Sequence, residues 1–291
     1  MPEHVASCLI CGSAHFQKFD NRVSEGRGVS NLLCLNCGVV FQSPRMTASE
    51  LEAFYSGEYF GGEGPGENQS AVRAARAAST VDFIRRRGLR TVKSALDIGA
   101  AGGLLLQALH RAFNCDVTGV EPDTAHRQHA ISQGLRTVAS LQELNGERFD
   151  LVVMSHVLEH ISDPVAYLAR LRSEILAPGG ALVVEVPNLY CHDCFEVGHL
   201  FSFSTNTLMR TLAKAGFQID RAESHGQPRS DMLPYYITAI ARPMAMAGGA
   251  PTQKERNVAL KRMMGVSFRR VVSRLFPRAA WRNQSHVRNG F

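Results

Sequence analysis

The chain has 291 residues, of which 45% are hydrophobic and 20% are charged. This length and composition suit a globular protein with one large domain and a small accessory one. The chain begins without a basic segment followed by an apolar one, and no apolar run nears the roughly 18 residues of a membrane-spanning helix. We therefore expect no secretory signal, no transmembrane segment and a cytoplasmic location.

The net charge of +6 comes from the C-terminal end. Residues 242–291 hold eleven Lys or Arg and a single acid, Glu255, whereas the preceding residues carry 21 basic and 25 acidic residues. The tail combines apolar residues at helical spacing with arginines between them: Leu260, Met264, Phe268, Val271, Val272 and Leu275, with Arg262, Arg269, Arg270 and Arg274. This pattern predicts a basic amphipathic helix ending before Pro277, which either packs on the main domain or contacts an anionic membrane.

Two matching pieces near the start, CLICG (8–12) and CLNCG (34–38), hold four of the seven cysteines. Paired cysteines in a cytosolic chain favour metal or redox chemistry over structural disulfides. Four thiolates form a closed tetrahedral zinc site, and the glycine after each pair suits a tight turn. We predict structural Zn²⁺ on Cys8, Cys11, Cys34 and Cys37, with a redox dithiol as the alternative.

A third pair, Cys191 and Cys194 in the stretch CHDC, has His192 and His199 nearby. A second metal site there is one interpretation. Because the pair is single, two loop thiols are the simpler one, and we favour it.

From Val92, strand-like and helix-like segments alternate. Strands are predicted over 92–99, 115–122, 135–140, 149–156, 181–188, 217–224 and 234–241, and helices over 103–113, 123–133, 164–176 and 204–215. This alternation is typical of an α/β, Rossmann-like, doubly wound sheet. We divide the chain into a zinc-ribbon-like module (1–45), a linker and leading helix (46–91), an α/β domain (92–241) and the basic tail (242–291).

The first strand of the α/β domain ends in an acid and a glycine turn, ALDIGAAGG (95–103). Such a turn places backbone N–H groups and a helix N-terminus beside a ligand, although a plain strand–helix connection is the alternative. Asp97 would repel a pyrophosphate but would favour a ligand with a cationic amino group. Glu121 ends the second strand, where an acid can accept hydrogen bonds from ribose hydroxyls. A ribose joined to an amino acid, without pyrophosphate, describes S-adenosylmethionine.

Over about residues 70–241, the chain resembles the class I S-adenosylmethionine-dependent methyltransferases. ALDIGAAGG is similar to their first motif and GVEPD to their second, and residues 149–188 with the LEHI box resemble their fourth and fifth strands. The resemblance implies a seven-stranded sheet with an antiparallel last strand. It also implies roles for named residues: Asp97, Gly99, Ala100 and Gly102 at the methionine end of the donor, Glu121 at the ribose, Ser140 and Leu141 near adenine, and Met154 and His156 along the methyl-donor pocket.

The zinc module ahead of such a domain further resembles the sugar C-methyltransferases of deoxysugar biosynthesis. Methyl transfer to oxygen or carbon needs an aligned acceptor and a group that removes a proton. His199 is the first candidate base, although Gly198 stands where that subgroup has a glutamate. His156 is the alternative base, and Tyr59 is a candidate cap of the pocket. Each histidine can instead serve a purely structural role.

We therefore predict methyl transfer to a small-molecule or saccharide acceptor, such as a nucleotide sugar. An RNA methyltransferase that uses the zinc module and the basic tail is one alternative, which we disfavour because residues 1–45 are not notably basic. A non-catalytic scaffold that binds S-adenosylmethionine is the other.

Overall fold

The computed structural model describes residues 2–24, 26–55, 67–89, 91–244 and 253–281. Tyr59 lies outside the described residues. The strands are β1 (Phe16–Ser24), β2 (Arg27–Cys34), β3 (Val40–Gln42), β4 (Ser94–Ile98), β5 (Asp116–Val120), β6 (Arg136–Val138), β7 (Phe149–Ser155), β8 (Leu176–Pro187), β9 (Phe201–Ser202), β10 (Phe217–His225) and β11 (Tyr236–Pro243). The helices are α1 (Ala48–Ala53), α2 (Glu67–Arg86), α3 (Leu104–Phe113), α4 (Thr124–Ser132), α5 (Pro164–Arg170), α6 (Thr205–Lys214), α7 (Val258–Leu275) and α8 (Pro277–Ala280).

Seven strands form the main sheet in the order β6-β5-β4-β7-β8-β11-β10. The neighbours from β6 to β8 are parallel, and β11 is antiparallel to both β8 and β10. The central strand β7 is buried on both faces, as its continuous apolar run 151–154 requires. The predicted α/β sheet with an antiparallel last strand is confirmed.

The connection between α5 and β8 differs from the predicted helix over 164–176. The α-helix ends at Arg170, one wide turn covers Leu171–Ile175, and β8 begins at Leu176. The stretch APGG (177–180) therefore belongs to the strand. An irregularity accommodates it, since Phe149 pairs with Leu176 but Leu151 already pairs with Ala181.

A second sheet, in the order β1-β2-β3-β9, joins the N-terminal segment to the main domain. Strand β9 comes from the main domain and pairs antiparallel with β3, with Phe41 opposite Phe201. One hydrophobic core runs from Cys8 and Phe41 to Leu96 at the centre of the main sheet. The two parts of the chain therefore share both a sheet and a core.

The tail forms α7, which docks on the main domain in an unexpected orientation. Its buried residues are Val258 and Val272, and Gly265 lies so close that a Cβ there would be 2.0 Å from the Tyr190 carbonyl oxygen. Arg269 donates to the Cys191 carbonyl. The apolar stripe of the helix faces outward, with exposed fractions of 50–63% for Leu260, Met263, Met264, Phe268, Val271 and Leu275. No described helix is long and apolar enough to cross a bilayer.

Candidate functional site

The glycine turn after β4 is fixed by backbone contacts to β5. The amides of Gly99 and Ala100 both donate to the Val120 carbonyl. Gly99 has φ +77°, and a Cβ there would lie 2.6 Å from Val157 Cγ2, so glycine is needed for both reasons. Helix α3 begins just after Gly103 and has no side-chain cap, so its first N–H groups point toward the open end of the turn.

Two buried acids stand beside this turn. Asp97 is 3% exposed, and no described residue hydrogen-bonds to its carboxylate. Burial, and then the charge of Glu121, raise the pKa of the Asp97 carboxyl well above its usual range. Glu121 accepts hydrogen bonds from the amides of Ala101 (2.7 Å) and Asp123 (2.9 Å). Asp97 is therefore a buried acid that lacks the donor or cation it would need to stay ionised.

A cavity of about 230 Å³ opens at the turn. Five of the predicted donor-site residues line it: Asp97, Gly99, Ala100, Gly102 and His156. The leading helix α2 supplies further lining residues that the motif analysis missed: Arg73, Arg76, Ala77 and Thr80. The two arginines recur at i, i+3 in an alanine-rich helix, which is the signal that could have identified them.

Four of the predicted residues do not line this cavity. Glu121 lies behind the turn and contacts it by accepting a hydrogen bond from the amide of Ala101. Met154 is completely buried and belongs to the core, because β7 directs its side chain into the packed layer. Leu141 also belongs to the core, and Ser140 precedes the short 3₁₀ turn Leu141–Leu144.

His156 follows β7 and is held between two carboxylates. Its Nδ1 lies 3.5 Å from Glu159 Oε1, and its Nε2 lies 3.4 Å from Glu185 Oε1. His156 has φ +56°, a backbone conformation that is strained for a residue other than glycine. His156 therefore lies at the cavity wall with a carboxylate facing each of its ring nitrogens.

Glu185 anchors this arrangement from β8. It is 3% exposed and accepts a hydrogen bond from Thr238 Oγ1 at 3.0 Å. Burial raises the pKa of its carboxyl, but contacts with His156 and His225 outweigh that effect and hold the pKa far below its usual range. Glu185 is thus an ionised partner for His156, and it was not predicted because it lies in the middle of an apolar strand.

His199, the first candidate base, lies away from the cavity. It is 6% exposed, and its Nδ1 contacts the Cys194 carbonyl oxygen at 3.2 Å. Its ring packs against that of His160, with centroids 4.8 Å apart. Burial lowers the pKa of His199, so the imidazole is neutral.

Beyond His156, aromatic and basic side chains cover the end of the sheet. The guanidinium carbons of Arg76 and Arg229 lie 5.4 and 5.8 Å from the centroid of the Tyr236 ring, on which His156 also packs. Tyr236 Oη and the Nε atoms of both arginines are buried without a hydrogen-bond partner in the described structure. Two cations and a hydroxyl with unmet hydrogen bonds suit an anionic or oxygen-rich ligand.

The four predicted metal-binding cysteines come together. Their sulfurs all lie within 4.8 Å of one another, with Cys8 Sγ 3.6 Å from Cys37 Sγ and Cys11 Sγ 3.5 Å from Cys34 Sγ. Sulfurs on one tetrahedral zinc ion are about 3.8 Å apart. The amides of Cys37 and Asn36 contact the Cys34 sulfur, and hydrogen bonds among the thiols lower the pKa of Cys34 and raise the pKa of Cys8 and of Cys37. The donor set and its spacing fit Zn²⁺.

The pair in CHDC does not form such a cluster. Cys191 packs with Tyr235 and Tyr236, and Cys194 packs with Phe195 in a separate cluster. Among the described residues, neither cysteine belongs to a group that could hold a metal ion.

Residues 71–222 match the family model described as a methyltransferase domain. The ubiquinone biosynthesis O-methyltransferase of Cereibacter sphaeroides is 40% identical over 102 residues, which is 32% of this chain and 40% of that protein. That of Roseobacter denitrificans is 36% identical over 111 residues, which is 35% of this chain and 42% of that protein. The chain thus spans about two fifths of the length of these curated relatives.

A similar solved structure is the 1,6-didemethyltoxoflavin-N1-methyltransferase of Burkholderia thailandensis, with bound acceptor and S-adenosylhomocysteine. It has a TM-score of 0.57 and 20% identity, and the match covers 77% of this chain and 99% of that one. The magnesium protoporphyrin IX methyltransferase of Synechocystis has a TM-score of 0.50 and 15% identity, with 68% and 100% coverage. These structures share the fold of the main domain.

Proposed function

Because the chain belongs to the methyltransferase-domain family, we propose that it transfers the methyl group of S-adenosylmethionine to a small-molecule acceptor. The observation that carries this proposal is the buried carboxylate of Asp97, which lines the cavity at the glycine turn without a hydrogen-bond partner in the described residues. A cationic ammonium group beside it would compensate its charge.

The remaining donor contacts follow from the same geometry. The N–H groups at the start of α3 and the guanidinium of Arg76 suit the carboxylate of the methionine moiety. Glu121 uses one lone pair of each oxygen on the amides of Ala101 and Asp123, which leaves acceptor capacity for ribose hydroxyls. Bound S-adenosylmethionine supplies the electrophilic methyl group.

We assign the proton-accepting role to His156 rather than to His199. His156 lines the cavity with its Nε2 3.4 Å from Glu185 Oε1, and this carboxylate would stabilise the imidazolium that forms when His156 takes a proton. His199 is buried and oriented by the Cys194 carbonyl, which suits a fixed position better than proton exchange with an acceptor.

The acceptor we propose carries an ionisable hydroxyl and an anionic group. Arg229 and Tyr236 present a cation and a hydroxyl beside His156, and a carboxylate or a phosphate would accept hydrogen bonds from both. Hydroxylated aromatic acids meet this description, and the curated relatives are named O-methyltransferases. Nucleotide sugars meet it through their diphosphate.

The zinc ion is proposed to be structural. Four cysteines complete a tetrahedral site and leave no open position for a substrate.

We further propose that the tail brings the enzyme to anionic membrane surfaces. On the outward face of α7, Met264 and Phe268 are exposed, and so are Arg270 and Arg274. Apolar side chains next to basic ones favour the interface of an anionic bilayer over solvent.

The test is a transfer assay with methyl-labelled S-adenosylmethionine and the full chain. Three acceptor panels are compared: hydroxylated aromatic acids, nucleotide diphosphate sugars and total RNA. We expect label in one of the two small-molecule panels and none in RNA. Label in RNA alone would support the RNA alternative, and donor binding without transfer to any panel would support the scaffold.

A further inference from the structure

A second group of side chains with metal-ligating atoms lies beside the candidate active site. Glu159 and His160 belong to the 3₁₀ turn Leu158–His160 after β7, and His199 precedes β9. Each of the three side chains offers one ligating atom, and these atoms all lie within 4.8 Å of one another. The exposed fractions are 1% for Glu159, 9% for His160 and 6% for His199. In the part of the chain that the structure describes, this group and the four-cysteine cluster are those that could hold a metal ion.

The carboxylate of Glu159 is the unexplained part of this group. Both of its oxygens are buried, and neither has a hydrogen-bond partner of good geometry in the described structure. The Nδ1 of His156 lies at 3.5 Å and the Nε2 of His160 at 3.9 Å. A buried anion without a close partner is costly unless a cation compensates it.

The two histidines are oriented as metal ligands are. The Nδ1 of His160 lies 2.7 Å from Tyr55 Oη and 2.9 Å from the Gly198 carbonyl oxygen, to which Tyr55 Oη donates at 3.1 Å. The Nδ1 of His199 lies 3.2 Å from the Cys194 carbonyl oxygen. An imidazole whose Nδ1–H donates to a carbonyl keeps its lone pair on Nε2.

We propose that Glu159, His160 and His199 bind one divalent transition-metal ion of the Zn²⁺ class, through a carboxylate oxygen and two Nε2 atoms. One carboxylate with two neutral imidazoles is a donor set that Zn²⁺ and its neighbours in the first row accept. Bonds of about 2.0–2.2 Å would draw the ligating atoms to about 3.3 Å from one another. The ion would lie directly behind His156, which contacts Glu159 and lines the donor cavity.

The proposal concerns metal binding, which is measured without any methyl-transfer assay. Its structural alternative is an ion pair between His156 and Glu159 with no metal. The experiment separates the two by counting metal ions per chain, with the four-cysteine site as an internal reference in the same molecule.

The full chain is loaded with Zn²⁺, freed of unbound metal by gel filtration and analysed for zinc and protein. We expect two ions per chain for the wild type and one for Glu159→Gln and for His199→Gln. His192→Gln is the matched control, since His192 is a histidine of the same loop outside the cluster, and it should keep two. One ion in the wild type, or two in both ligand variants, would overturn the proposal.

Cobalt provides a readout that a loss of folding cannot imitate. In Co²⁺-loaded protein, thiolate-to-cobalt absorption reports the cysteine site, whereas an oxygen and nitrogen site contributes only weak ligand-field bands. Glu159→Gln should keep the thiolate band at full strength and lose the additional ligand-field intensity. An unchanged spectrum in Glu159→Gln would contradict the proposed site.

Discussion

At the scale of single residues, Asp97 makes the affinity for the methyl donor depend on pH. Its carboxyl has a raised pKa, so it becomes protonated at a higher pH than an ordinary aspartate. A cationic donor needs the ionised form, and its binding therefore releases a proton as the pH falls toward that pKa. We expect donor affinity to weaken on acidification in the wild type.

The Asp97→Asn variant isolates this effect. A charge-assisted hydrogen bond contributes about 1.5–3 kcal/mol, so the variant should bind the donor about 10- to 150-fold more weakly. The donor affinity of this variant should also change little over the pH range in which that of the wild type falls. Calorimetry at several pH values measures both effects, and a wild-type profile retained by the variant would remove Asp97 from the donor site.

His156 carries the second prediction at this scale. Replacing it with glutamine keeps the size and polarity but removes the base, so kcat should fall by about 100-fold or more. The donor Kd should stay within about threefold. His15→Gln, an exposed histidine in the N-terminal segment, is the control and should keep full activity. An equal loss in both variants, or a loss only in donor affinity, would contradict the assignment.

Sequence could predict only part of this site. Asp97, Gly99 and Glu121 lie within one strand–turn–helix–strand unit, where local spacing determines their positions. Arg76 and Glu185 come from elements far apart in the chain, and only the tertiary fold brings Arg76 to the cavity and Glu185 to His156 on its wall. His199 was preferred as the base by resemblance alone, which says nothing of its burial.

At the scale of elements, the pairing of β3 with β9 links zinc binding to the stability of the main domain. Cys34 ends β2, which pairs with β3, and β3 pairs with Phe201–Ser202 of the main domain. Losing the ion should therefore destabilise the whole chain rather than the N-terminal segment alone.

Cys34→Ser tests this link. We expect one zinc fewer per chain and a fall in Tm of roughly 10 °C, because 1 kcal/mol shifts Tm by about 2–4 °C in a chain of this size and a structural zinc contributes several kcal/mol. Cys115→Ser, a buried thiol outside the cluster, is the control for zinc content. Unchanged zinc and Tm in Cys34→Ser would refute the structural role.

The strands of the main sheet were predictable because their apolar runs are bounded by glycine, proline and polar turns. Strand β9 was not, since its two residues carry no periodicity of their own. It forms because Phe201 pairs with Phe41 of β3 in the second sheet, where the two ring centroids lie 6.3 Å apart. The stretch APGG was predicted as a connection, but the pairing of Ala181 with Leu151 draws it into β8.

At the scale of the whole molecule, the tail presents an apolar and basic face outward. Its amphipathic pattern was visible in the sequence, but not which face would dock. Gly265 permits close approach to Tyr190, and Arg262 donates to the His192 carbonyl at 2.6 Å. The face that holds Val258, Arg262, Gly265 and Val272 therefore packs inward, and the stripe with Met264 and Phe268 is left exposed.

This face predicts binding to anionic vesicles. The full chain should sediment with phosphatidylserine-containing vesicles, and less so with purely zwitterionic ones or at high salt. The double variant Met264→Ser/Phe268→Ser should bind about tenfold more weakly, because two apolar side chains no longer enter the interface. Ile131→Ser, an exposed apolar residue of α4, is the control. Equal binding of the double variant and the control would exclude this surface.

The central claim is that the glycine turn holds S-adenosylmethionine. Its most direct test is calorimetric titration of S-adenosylmethionine, S-adenosylhomocysteine and NAD into the full chain, with Asp97→Asn and Glu121→Gln beside the wild type. We predict that both adenosyl ligands bind, that both variants weaken them and that NAD gives no heat. Binding of NAD, or no binding of either adenosyl ligand, would contradict the claim.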